Sequence, residues 1–237
     1  MQRVALVAGG TGDIGRAICR ELHQAGIRVA VGYANSKESA EALASALGGT
    51  AVLLRADEEP GATVRAVQDA LGRLDILVNA SGLNIESSAP MMRDEDWQSV
   101  LDVNLTFAFR LTRAVLPCML PQRYGRIVHL SSVSGRAGGR GQINYAASKA
   151  GLERMARVFS LEVARKGVTV NCVAPGVIVS RMSERVREKY GQELLAHIAC
   201  RRFGEPEDVA KAVAFLAGEG AGYINGAVLP VDGGMLL

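Results

Sequence analysis

Tyr145 and Lys149 stand four residues apart in "NYAASKAG" (144–151). On a helix that spacing puts a phenol and an ammonium on one face. Such a pair suits the protonation of a developing alkoxide: the phenol supplies the proton, and an adjacent cation favours tyrosinate, drawing a pKa near 10 towards neutrality. A carbonyl reductase also needs a group to hold the oxygen, and the serine-rich "LSSVSG" (130–135) lies just upstream. Spacing alone does not single the pair out. With five Tyr and five Lys in 237 residues, chance supplies about a tenth of a Y-x-x-x-K match, yet Tyr33 and Lys37 make a second. Setting separates them, because Tyr145 follows a strand end of the kind that binds ligands, whereas Tyr33 closes the second apolar run.

A second cluster is the turn in "LVAGGTGDIGRAI" (6–18), where an apolar run, glycines and a helix follow one another, the context that sets backbone N–H groups against a pyrophosphate. Its glycines have two registers. Gly10, Gly12 and Gly15 spell G-x-G-x-x-G, whereas Gly9 and Gly15 fit a wider pattern with Asp13 at a position expected to be glycine. Asp13 is expected to cap the following helix and take N–H groups from the pyrophosphate. Beyond the second run stand Asn35, Ser36 and Lys37, with no carboxylate before Glu38. The group that would bind a free ribose 2′-hydroxyl and repel a 2′-phosphate is therefore missing, which favours NADP(H) over NAD(H). Asp57, after the third run, either accepts the adenine amino group or caps the helix that begins near residue 60.

The elements that position these groups are legible as alternation. Apolar, β-branched runs at 3–8, 28–33, 51–55, 75–80, 126–132, 168–175 and 227–231 predict seven strands; 14–25, 36–47, 60–72, 94–120, 145–166 and 206–218 read as helices. Asp94 and Glu205 lie near helix starts, and Gly26, Gly48, Gly72 and Gly167 just past helix ends. The fold class is α/β, a single-domain Rossmann fold spanning 1–237, with a doubly wound seven-stranded parallel sheet and helices on both faces. Only 177–204 breaks the rhythm. This charged, partly helical segment follows the sixth strand, on the ligand side of such sheets, and is either a substrate lid or a solvated surface helix.

A formal charge of +3 is too mild and dispersed for a nucleic-acid or membrane surface. Four scattered cysteines and three scattered histidines suggest neither a disulfide framework nor a metal site. The chain enters an apolar strand directly, so a cytoplasmic protein is expected.

"GGTGDIG", "NASG" (79–82), Asn104 in "DVNL", "SSVSG" (131–135), "YAASK" (145–149) and "PG" (175–176) occur in the order and spacing of the short-chain dehydrogenase/reductases, which the whole chain resembles. Within that family it is most similar to the β-ketoacyl-[acyl-carrier-protein] reductases. The resemblance selects the wider glycine register, with Ala8 for the usual threonine and Asp13 for the usual glycine. It implies Tyr145 as general acid, Lys149 as the group that tunes it and binds the nicotinamide ribose, and Ser132 as the carbonyl holder, with Ser131 the neighbouring alternative. Asn104 would hold a water linking Lys149 to solvent.

The same resemblance gives Gly9, Thr11, Gly12, Asp13, Ile14, Asn79, Ala80 and Gly82 to the adenosine and pyrophosphate half of the cofactor, which Asn35, Ser36 and Asp57 join on the residue reading above. Pro175, Gly176, Ile178 and Ser180 fall to its nicotinamide. It implies reduction of an acyl thioester on acyl carrier protein or CoA, carrier docking at Arg123 and Lys166 with Arg136 and Arg140 flanking the site, and a homotetramer. A dehydrogenase of the same family acting on another alcohol, sugar or ketone, and a non-catalytic dinucleotide-binding protein, are the alternatives.

Overall fold

The computed structural model describes residues 2–237. Strands β1 (Val4–Ala8), β2 (Arg28–Tyr33), β3 (Thr50–Leu53), β4 (Ile76–Asn79), β5 (Gly125–Leu130), β6 (Val168–Pro175) and β7 (Val228–Val231) form one parallel sheet in the order β3-β2-β1-β4-β5-β6-β7. The connecting helices begin with α1 (Asp13–Gln24), α2 (Lys37–Ala46) and α3 (Gly61–Leu71). Then α4 (Asp94–Leu101) passes through a π-helical turn, Asp102–Thr106, into α5 (Phe107–Met119). A short α6 (Ser134–Ala137) precedes the long α7 (Ile143–Val163), followed by α8 (Arg181–His197) and α9 (Pro206–Ala217).

Every residue of β1, β5 and β6 is buried, as expected of parallel strands covered on both faces. Alternation along β1 sorts the two cores. Ala5 and Val7 join Ile18, Leu22, Leu43 and Val213 from α1, α2 and α9, while Val4 and Leu6 join Val67, Phe107, Leu111 and Ala156 from α3, α5 and α7. Strand order reverses between β1 and its neighbours β2 and β4, which opens a crevice at the carboxyl edge beside Ala8 and Asn79.

Helix ends carry much of the expected chemistry. Gly72 and Gly167 close their helices at φ +83° and +75°, the left-handed region that a side chain resists. Glu205 caps α9 in a reciprocal box with Asp208. Asp94, in contrast, is the first helical residue rather than the cap of α4. Among the described residues, no helix is long and apolar enough to cross a membrane.

His129, on β5, is fully buried; its Nε2 pairs with the Thr112 hydroxyl at 3.2 Å and its Nδ1 has no partner among the described residues. Burial, helped by the nearby Lys149 charge, pushes the ring from the usual 6.5 down to about 3. The folded state therefore holds the neutral ring, and the unfolded chain binds more protons between those two values. Stability falls as pH drops below about 6.5, and at pH 5 this one residue is expected to cost about 2 kcal/mol. Urea midpoints at pH 7 and pH 5 check this. His129→Leu should shrink the difference between the two pH values by about that amount.

Candidate active site

The glycine turn decides its own register by space. Gly9 has φ +71°, and a Cβ there would stand 2.8 Å from the Ala80 backbone at the end of β4. A Cβ on Gly15 would lie 2.1 Å from the Gly9 carbonyl oxygen, so α1 approaches the turn as only glycine allows. Gly12, which only the G-x-G-x-x-G register requires, has φ −71° and its nearest obstacle at 3.4 Å. The Gly9 and Gly15 pattern is the one that the backbone needs. At the start of α1 the N–H groups of Asp13, Ile14 and Gly15 have no protein acceptor among the described residues, the arrangement that receives an anion. This cradle fits a dinucleotide pyrophosphate.

Asp13 does not cap α1. The helix has Gly12 at its N-cap and no side-chain cap bond; the Asp13 carboxylate instead accepts the backbone N–H of Arg181 at 2.9 Å. The carboxylate is turned across the crevice towards α8, so it takes no N–H from the cradle. Asp57 likewise caps nothing. Arg55 grips both its oxygens at 3.0 and 2.9 Å and holds its carboxyl below the usual range, and α3 begins after Pro60. An adenine amino group would have to compete with that guanidinium.

Asn35 and Ser36 stand exposed between β2 and α2, and Lys37 beside them pairs loosely with Glu41. Sequence reading overlooked Arg16. From the second turn of α1 its guanidinium bonds the Thr11 carbonyl and reaches Ser39 of α2, which brings a fixed positive charge towards the β2 end. The signal was an arginine directly after Gly15.

On the other side of the crevice, β5 ends in Ser131 and Ser132. Ser131 is committed, donating to Glu153 Oε1 at 2.8 Å, with the Lys149 carbonyl at 3.4 Å. Among the described residues the Ser132 oxygen accepts only the Ser134 N–H, at 3.1 Å, and the serine lies near enough to the Tyr145 phenol to act on its pKa. Of the two serines, Ser132 is the one free to hold a substrate oxygen. Tyr145 is placed by its neighbours. Asn144, fully buried, accepts the Tyr145 N–H and donates to the Ile85 carbonyl, which ties α7 to the loop after β4.

Burial raises the Tyr145 phenol above its ordinary value, and the Ser132 hydrogen bond opposes this only in part. The Lys149 ammonium donates to the Leu130 carbonyl at 2.8 Å and stands 5.6 Å from the centre of the tyrosine ring. Burial pushes Lys149 itself down to about 8. Asn104, in the π-helical turn, accepts the Leu83 N–H at 2.8 Å and donates to the Leu83 carbonyl and to Ser148 Oγ, both at 2.9 Å. It thus locks the loop after Gly82 to α7; a π-turn at such a place is a frequent device of functional sites.

Asn79 is buried and its side chain accepts the Ser81 N–H, which shapes the turn that carries Ala80 and Gly82. Beyond β6, Gly176 lies so close to Asp232 that a Cβ would meet its Cα at 2.8 Å. The Ile178 side chain is buried in the core, and its carbonyl accepts the Ser180 and Ser183 hydroxyls. Pro175 and Ser180 flank it at the carboxyl edge, on the same side as the tyrosine.

Arg123 and Lys166 are not brought to this site. Both precede their strands, at the amino edge of β5 and β6, and Arg123 donates to the Arg165 carbonyl. Arg136 and Arg140 lie at the carboxyl edge; Arg136 faces Glu153 at 3.6 Å, and Arg140 is exposed.

A family profile described as enoyl-(acyl carrier protein) reductase matches residues 9–236. The chain is 41% identical over 239 residues to the 3-oxoacyl-[acyl-carrier-protein] reductase FabG of Haemophilus influenzae, covering 99% of this chain and 98% of that one. It is 40% identical to the enzyme of the same name from Pseudomonas aeruginosa over 242 residues, 99% and 98% of the two chains. Staphylococcus aureus FabG is also 40% identical, over 244 residues, 100% of this chain and 99% of its own.

Proposed function

Because the chain belongs to the short-chain dehydrogenase/reductase family, we propose that it is an NADPH-dependent reductase of 3-oxoacyl thioesters, carried on acyl carrier protein or CoA. The observation that carries this reading is that Ser132, Tyr145 and Lys149 converge at the same carboxyl edge of the sheet that carries the glycine cradle, with Lys149 against Gly82. When bound, the nicotinamide supplies the hydride that reduces the β-carbonyl carbon. Ser132 holds the ketone oxygen, and Tyr145, protonated throughout the neutral range, gives it the phenolic proton, leaving a β-hydroxyacyl thioester. Lys149 sets a cation beside the phenol, and Asn104 acts through Leu83 and Ser148 as a positioning residue.

Gly9, Thr11 and Gly12, with the N–H groups of Asp13 and Ile14, would hold the pyrophosphate, and Asn79, Ala80 and Gly82 would border the adenosine half. Pro175, Gly176, Ile178 and Ser180 would border the nicotinamide. Asn35, Ser36 and Arg16 face the ribose end. The absence of a carboxylate there and the presence of a guanidinium support NADP(H). The 177–204 segment serves as the substrate lid.

The relatives' name and the family profile's description differ in the bond reduced, a ketone C=O or an enoyl C=C. A serine hydroxyl beside the phenol suits the ketone oxygen. Steady-state assays with acetoacetyl and crotonyl thioesters, each with NADPH and NADH, test both choices. Oxidation of NADPH by acetoacetyl thioester alone is expected, and turnover of the crotonyl compound alone would sink the reading. Arg16→Ala should cut the NADPH-over-NADH preference by about tenfold, the worth of one charged hydrogen bond to phosphate.

A carrier protein docked on Arg123 and Lys166 would stand about 20 Å from Ser132 by strand rise along β5. Arg136 and Arg140 are at the correct end for a carrier bound to the same subunit. A homotetramer belongs to the same reading. Phe109, Val158 and Leu161 are exposed on the outer faces of α5 and α7, an apolar surface that a symmetry mate would cover; sedimentation equilibrium measures it.

A further inference from the structure

The helix α8 has no buried residue, and its φ and ψ break from helical values at Tyr190, so neither half has an apolar face seated in the core. A helix of this length without tertiary packing is marginal in water. Its own N-cap residue does not help: Ser180 donates to the Ile178 carbonyl and makes no cap bond. The first N–H of the helix, that of Arg181, goes instead to Asp13 Oδ2 at 2.9 Å, and the Arg181 guanidinium stands 3.4 Å from Asp13 Oδ1. One carboxylate therefore sits between the amino ends of two helices, α1 and α8, that are 168 residues apart in sequence. Both ends carry partial positive charge.

We propose that Asp13 is the clasp that seats the amino end of α8 over the dinucleotide cleft, capping α8 from the opposite wall in the place where the cofactor's own anion is to be received. The guanidinium is mostly exposed and adds little as an ion pair, so the cap is the larger part of the hold. The clasp has a cost for binding, since a pyrophosphate received by the first turn of α1 meets a fixed carboxylate in that same turn. Asp13 thus exchanges cofactor affinity for a lid that is docked before the cofactor arrives. This second part rests on the dinucleotide reading above; the docking of α8 does not.

Amide hydrogen exchange of the chain without cofactor tests the docking. In Asp13→Gly, residues 181–189 should exchange about tenfold faster than in the wild type, the effect of losing one helix cap, while β5 and β6 keep their protection. Asp13→Asn retains an acceptor oxygen and Arg181→Ala retains the N–H, so both should keep most of the protection. Unchanged exchange at 181–189 in Asp13→Gly, with its strands still protected, overturns the clasp. NADPH affinity, measured by fluorescence titration, should rise several-fold in both Asp13→Gly and Asp13→Asn. No gain in either variant overturns the proposed competition with the pyrophosphate. Failure of every form, wild type included, to bind NADPH would strike the dinucleotide reading instead and leave the exchange result standing.

Discussion

Tyr145→Phe is expected to lower turnover of the ketone thioester about 10³-fold, the range for loss of a positioned general acid, while leaving folding and NADPH binding within twofold. The separation follows from what the hydroxyl does. Burial raises the phenol above its ordinary value, so at neutral pH it carries a proton to give. The ring keeps its place without it, because Asn144 holds the Tyr145 N–H and Ser148 holds its carbonyl, and neither bond uses the phenol. The Ser132 oxygen retains the Ser134 N–H. A loss in kcat with an unchanged thermal midpoint and an unchanged KM for NADPH is the expected pattern. Unchanged turnover would remove Tyr145 from the proton-donor role and leave the chain a binding protein on this fold, or a catalyst with a different acid.

The second large effect is steric. In Gly15→Ala the new methyl would lie 2.1 Å from the Gly9 carbonyl oxygen and 2.9 Å from its carbon, and backbone cannot rotate away as a side chain can. The amino end of α1 must lift from the turn, at a cost of about 3 kcal/mol, the upper end for overpacking, and the uncommitted N–H groups of Asp13 and Ile14 move with it. Thermal or urea midpoints should drop accordingly, and NADPH affinity should fall by an order of magnitude or more. Gly12→Ala is the control. With φ −71° and 3.4 Å of clearance it should stay within about 1 kcal/mol of the wild type. Equal damage from both substitutions would mean that the turn is not read through Gly9 and Gly15.

The contrast between these glycines shows how far the sequence could be read. Strand runs, helix ends and the grouping of Ser132, Tyr145 and Lys149 were legible because they rest on local periodicity or on spacing within one element and its neighbour. The destination of a side chain was not. Asp13 looked like a cap because carboxylates at helix starts usually are, yet its partner lies 168 residues away on α8. Ser131 and Ser132 were indistinguishable as letters, and Glu153, one turn beyond Lys149, separates them by taking the first. Lys149 was expected to act on the phenol. The Leu130 carbonyl, which no pattern of residue types advertises, takes one of the hydrogen bonds of its ammonium. The backbone pairing of Ile178 with Gly204, which brings the two ends of the 177–204 segment together, is equally unmarked in the sequence.

The five-residue π-helical turn at Asp102–Thr106 has a geometric consequence for the helix that contains it. One extra residue in a turn shifts the angular phase of everything after it by about 100°. Val100 before the turn and Phe107 and Leu111 after it are all buried; their spacing would put them on one face of a regular helix, and the wider turn around Asn104 turns Val100 away from the other two. The segment 94–119 behaves as two rulers spliced with a fixed offset. A regular α-helix made of the same residues would bring Val100 back onto the face of Phe107 and Leu111.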